Sequence, residues 1–187
     1  MKKITIKQTL KYALTATMAL CLMLAAANPA QAKLPADMDE YNARIKSEAK
    51  TPEGAVNLWF DAIFLYVNSS TRNLGKSALN AITHKLPADF EKNSFHATFV
   101  NRMKEQPEIF RSYCQGATPE NNYKADPDKC ELTVTKSDED YGDTWAVYIK
   151  SSGADSNRKI QLIKGENGLW LIRDYPGIYS GVKKADK

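Results

Sequence analysis

The sequence predicts an α+β fold: N-terminal helices followed by an antiparallel sheet, in a single domain. Two observations carry that prediction. Apolar residues recur about every four positions from Thr51 to Tyr113, and the spacing changes to two after Cys130. Helices first and a run of strands afterwards is an α+β order, not an alternating βα one.

The N-terminus is read apart from the fold. Lys2, Lys3, Lys7 and Lys11 form a basic region, Tyr12 to Ala27 is apolar, Asn28-Pro29 breaks the run, and Ala30-Gln31-Ala32 is a small-x-small cleavage site. That order reads as a secretory signal over residues 1–32, cut after Ala32, and implies a periplasmic or secreted protein. The apolar run falls short of the about 20 residues a membrane helix needs, so no transmembrane span is expected after cleavage. Cys21 follows Leu20, which does not suit lipidation, and belongs to the discarded segment.

The charge balance changes with the signal removed. The chain has 26 Lys and Arg against 22 Asp and Glu; the signal holds four of the lysines and no acid, which leaves a mature chain of no net charge. Phosphate binding relies on a surplus of basic groups, so a nucleic-acid partner is not expected.

Residues 33–50 (KLPADMDEYNARIKSEAK) read as a linker or short leading helix that docks weakly, with Met38, Tyr41 and Ile45 at helical spacing. The domain proper is expected over 51–180, with a basic tail at 181–187. In TPEGAVNLWFDAIFLY, Thr51 suits an N-cap, Pro52 the first helical position, and Glu53 the first turn. Glu53, Asn57 and Asp61 form one narrow polar stripe; the rest of the circumference is apolar, so this helix must be covered on more than one side. A second helix reads from Arg72 to Leu86, with Leu74, Ala78, Ile82 and Leu86 on one face and Pro87 ending it. A third, capped by Asp89, reads through FEKNSFHATFVNRMKEQ with Phe95, Phe99 and Met103 on its seam. Pro107 opens a short fourth, PEIFRSYC.

Cys114 and Cys130 form an even pair in an exported chain and are expected to be disulfide-bonded. Beyond them Leu132 and Val134, then Trp145, Val147 and Ile149, then Ile160 and Leu162, and last Leu169 to Ile172 mark about four strands. DEDYGD, GADSN and KGENG supply the turns between them. A calcium site on DEDYGD lacks the spacing of an EF-hand loop and gives way to a solvated hairpin turn.

A strongly bent sheet can enclose the apolar first helix. "TPEGAVNLWFDAI" at the domain start, the helices ahead of a meander, and "NGLWLIRDY" in the last strand resemble the nuclear-transport-factor-2-like superfamily, which includes ketosteroid isomerases and SnoaL-like proteins. The resemblance spans about Thr51 to Tyr175 and implies a cone-like, strongly curved sheet wrapped around the helices. The chain departs from that family in Asn68-Ser69-Ser70-Thr71, where members carry an acidic turn, and in the Cys114–Cys130 loop.

Hydrolase, phosphate-loop and metalloenzyme motifs are absent from the sequence, and no cofactor or metal is expected. A cavity lined by Trp59, Phe64, Phe95, Phe99, Trp145, Tyr148 and Trp170 is the expected ligand pocket, with Tyr175 to Tyr179 either a lid across it or a plain C-terminal turn. Isomerase-like relatives hold a carboxylate base and a proton donor inside the cone. The titratable candidates are Asp61, Asp174, His96, His84, Tyr66 and Tyr148, with a solvated helix face as the plain reading of Asp61. The expectation is therefore an exported, non-catalytic domain that binds a small apolar ligand or an envelope protein partner. The alternatives are an isomerase- or hydratase-like enzyme using a cavity carboxylate, and a structural module that forms a homodimer through its sheet.

Overall fold

The structure is a computed structural model and describes residues 33–186; the expected signal sequence lies outside the described residues. Among the described residues, five α-helices precede a four-stranded antiparallel sheet in one α+β domain. No helix among the described residues is long and apolar enough to cross a membrane.

Helix α1 (Met38–Glu48) begins at Asp37, whose side chain accepts the Glu40 N–H, while Glu40 accepts the Ala36 N–H. Its docking is firm, not weak. Tyr41 is fully buried and donates its hydroxyl to the Leu58 carbonyl at 2.9 Å. Helix α2 (Pro52–Val67) starts as its sequence demands, with Thr51 Oγ1 accepting the Gly54 N–H at 3.1 Å. From Ala55 to Tyr66 every residue but Asn57 is buried. Helix α3 (Arg72–Ile82) packs tightly on α2, because a Cβ on Gly75 would stand 2.1 Å from the Tyr66 backbone nitrogen. Thr71 Oγ1 and Arg72 Nε secure the crossing by donating to the carbonyls of Leu65 and Tyr66.

The next segment departs from the helical reading. Helix α3 stops at Ile82 instead of reaching Leu86, because Thr83 and His84 leave to run beside the last strand. Leu86 precedes Pro87, where the ring disfavours helical backbone. The expected third helix is broken too. Phe90–Lys92 and Ser94–His96 are 3₁₀ turns, and only Ala97–Glu105 (α4) is helical. Asp89 makes no side-chain cap; Asn93 does, accepting the Phe95 N–H at 2.9 Å. Glu91 anchors this irregular stretch, accepting from the Tyr66 hydroxyl at 2.6 Å and pairing with Lys76 at 2.8 Å. Helix α5 (Glu108–Arg111) leads into the Cys114–Cys130 disulfide, which closes the polar loop as expected.

Strands β1 (Val134–Glu139), β2 (Thr144–Ile149), β3 (Arg158–Lys164) and β4 (Trp170–Asp174) follow in simple meander order. Val147 opposite Ile160 and Leu162 opposite Ile172 put the buried apolar side chains on one face, against which α2 packs. Tyr148, Gln161 and Arg173 take the other. The free side of β4 is met at two points: the Trp170 N–H donates to the Ala49 carbonyl at 2.8 Å, and the His84 N–H donates to the Ile172 carbonyl at 2.7 Å. The last described residues are part of the body. Lys183 N–H donates to Gly153 O, Tyr123 Oη donates to Lys183 O, and Asp186 N–H donates to Pro119 O.

Two outcomes follow from these contacts. Gly75→Ala wedges α3 off α2 and is expected to cost about 1–3 kcal/mol in urea unfolding. Lys76, Tyr66 and Lys104 hold the Glu91 carboxyl at about 2. A depressed carboxylate stabilises the fold above its unfolded value and loses that contribution as pH falls toward the folded value. Glu91→Gln should therefore cost about 1 kcal/mol near pH 7 and flatten the acid limb of the stability profile below about pH 4.5.

Candidate functional site

The carboxylate for which the sequence leaves open a solvated stripe or a cavity wall is deep inside. Asp61 is 1% exposed, in the middle of α2, and its Oδ2 lies 2.8 Å from Arg44 Nη2 on α1. Arg44 also grips Glu48 on its own helix, through Nε at 2.7 Å and Nη2 at 3.1 Å. Burial pushes the Asp61 carboxyl up to about 7 against the pull of Arg44. Burial also lowers Arg44, but its hydrogen bond to Glu48 and the charge of Asp61 together hold it above its ordinary range. Asp61 thus faces neither water nor an open cleft; it ties α1 to α2. Arg44 was missed in the sequence, although it lies three residues after Tyr41 on the same helical face, and a lone acid inside LWFDAIF demands a cation.

The expected pocket aromatics fall in several separate places among the described residues. Trp59 and Phe99 are buried and stack at 5.7 Å, and Tyr175 closes on both at 4.8 and 4.9 Å. Phe64 is buried beside Phe60. Trp145 and Trp170 form a half-buried pair 5.8 Å apart, and Tyr148 lies on the opposite face under the Lys136 ammonium. Tyr66 is buried, with its hydroxyl on Glu91. Phe95 is 86% exposed, because the 3₁₀ turn that carries it projects from the body instead of continuing a helix seam. In DEDYGD, Asp140 is engaged by Lys159 at 3.0 Å and Gln161 at 2.5 Å.

A different cleft gathers several of the titratable candidates. It has a volume of about 290 Å³ and lies where the chain leaves α3, passes the Phe95 turn, and meets the end of β4. Both histidines of the chain, His84 and His96, line it together with Asp174. Thr83, Lys85, Arg173 and Tyr179 complete the polar part, while Leu86, Phe95, Tyr175 and Pro176 supply apolar surface. Only Phe95 of the expected pocket aromatics borders it. Burial lowers the His96 imidazole below its ordinary value. Burial, then the neighbouring Tyr179 and Asp174, hold the Tyr175 phenol well above its own. Asp174 Oδ1 accepts the Tyr175 N–H at 3.1 Å.

The segment Tyr175 to Tyr179 forms one wall of the cleft and not a flap over it. Pro176–Tyr179 is a 3₁₀ turn with Ile178 fully buried, and Tyr113 donates its hydroxyl to the Ile178 carbonyl at 2.8 Å. Thr83 and Lys85 were missed because THKL was read as a helix continuation; Leu86 ahead of Pro87 was the signal for an earlier end. Among the described residues, no group of three or more His, Cys, Asp or Glu side chains is arranged to hold a metal ion.

The buried pair makes a measurable demand. Arg44→Ala leaves Asp61 uncompensated and is expected to cost about 3–5 kcal/mol in chemical denaturation. The double substitution Arg44→Met with Asp61→Leu should recover most of that loss, because the charge and its counter-charge leave together.

Comparison with curated proteins and with solved structures finds no significant match. Residues 33–186, which include every residue of the cleft and of the buried pair, match the family described as "Domain of unknown function (DUF6935)", and the chain belongs to that family.

Proposed function

We propose that the protein is an exported, non-catalytic binding domain that takes a small amphipathic ligand in the His84–His96 cleft. One observation carries the reading: Phe95 is 86% exposed at the rim of a cleft lined by both histidines. A bare phenyl ring beside convergent polar groups is suited to covering a ligand's apolar body. A volume of about 290 Å³ is at the small end for ligand sites, which favours a compact molecule over a segment of an envelope protein. The Cys114–Cys130 disulfide supports an oxidising, exported setting.

Helices followed by a four-stranded meander, with α2 against one sheet face, support the nuclear-transport-factor-2-like reading with its cone-like curvature. The other face carries Lys136, Asp138, Lys159 and Arg173, which does not favour homodimer formation by apolar sheet stacking. The isomerase- or hydratase-like alternative rests on Asp174 and His96 lining one cleft, since Asp61 is committed to Arg44.

An uncharged solvatochromic dye such as Nile red tests the binding reading. Saturable one-to-one binding is expected, weakened about fivefold by Phe95→Ala, an exposed position whose substitution leaves the fold intact. Saturable binding that Phe95→Ala and His96→Ala both leave unchanged would put the ligand elsewhere.

A further inference from the structure

The cleft is lopsided in its charges. The stretch after α3 brings His84 and Lys85, the Phe95 turn brings His96, β4 brings Arg173 and Asp174, and the C-terminal turn brings Tyr175 and Tyr179. Asp174 is the one acid on the wall, and its Oδ1 already accepts the Tyr175 N–H. The Arg173 guanidinium lies 3.5 Å from Asp143, so it is held toward the β1–β2 hairpin. His84, Lys85 and His96 make no ion pair among the described residues. Thr83 Oγ1 is buried with no hydrogen-bond partner among the described residues. Lys85 has φ 53°, a left-handed backbone that a lysine adopts at a cost of about 1 kcal/mol. Such a backbone outlier supports a functional reading of the loop that carries His84 and Lys85.

Accepting the binding reading above, we infer that the ligand is a small amphipathic monoanion, with a carboxylate-class group met by His84, Lys85 and His96 and an apolar body lying on Phe95 and Tyr179. These three side chains can each donate and engage no internal acceptor among the described residues, so a cation or a neutral polyol would leave them less well satisfied. Asp174 on the same wall disfavours a dianion such as phosphate, which would bring a second charge against it. Leu86, Phe95, Pro176 and Tyr179 then account for the apolar half of the lining.

The pH behaviour follows from the same geometry. Burial disfavours the imidazolium of His96, and an anion seated beside it restores that charge. Binding then takes up a proton, so affinity rises as pH falls.

Phenylpropionate and its uncharged primary amide are the matched probes, titrated into the purified protein while the two imidazole resonances are followed by NMR. The acid is expected to shift both histidines, to bind about tenfold more tightly than the amide near pH 6, and to weaken about fivefold by pH 8. Lys85→Gln and His96→Gln should each weaken the acid about three- to tenfold and leave the amide unchanged. Acid and amide binding equally at both imidazoles would overturn the anion and leave the cleft standing. Neither probe moving either imidazole, with Nile red also indifferent to Phe95→Ala, would overturn both readings together.

Discussion

Helix α2 is enclosed by its neighbours, and that enclosure governs the rest of the molecule. A helix buried on nearly all sides cannot keep an isolated charge in its middle, because an uncompensated carboxylate in an apolar interior costs several kcal/mol. Asp61 occupies that middle, so Arg44 has to reach it, and α1 has to lie where Arg44 can do so. The leading helix is therefore a structural requirement of α2. Tyr41 adds an apolar anchor and a hydrogen bond to the Leu58 carbonyl, which fixes the same docking a second time.

The close seat of α3 is a second consequence of covering α2. Gly75 lets the two backbones approach at Tyr66, and Tyr66 then directs its hydroxyl to Glu91. Glu91 collects Lys76 and Lys104 around that hydroxyl and steadies a stretch with little regular structure. Phe95 and His96 project from this stretch. The cleft is thus a by-product of how the core is covered: α3 has to end early for Thr83 and His84 to meet β4, and the chain then has to cross back by way of the Phe95 turn.

Local chemistry made much of the fold legible. Thr51-Pro52-Glu53 announced α2, the change of period after Cys130 announced the sheet, and KGENG announced the last hairpin. Asp89 and the Phe95-Phe99-Met103 spacing suggested a helix that tertiary contacts override, since Asn93 takes over capping and only α4 remains helical. Asp61 was left open between solvent and interior for a different reason. A polar stripe with a spacing of four is identical on paper whether it faces solvent or a partner helix carrying an arginine, and sequence periodicity does not carry that long-range pairing. The His84, His96 and Asp174 grouping was similarly invisible, because those residues come from three separate parts of the chain and share no spacing.

The two hydrogen bonds that meet β4, from the Trp170 N–H to Ala49 and from His84 to Ile172, bear on self-association as well as on folding. A bare outer strand is a template on which a second molecule can add its own strand, the first step toward sheet-based polymers. Here two of the positions a newcomer would need, at Trp170 and Ile172, are already taken by the chain itself. Opposite, β1 carries an irregular register and the charges of Lys136, Asp138 and Glu139, features that discourage such growth. A sheet guarded at both outer strands resists edge-to-edge growth once the chain has folded.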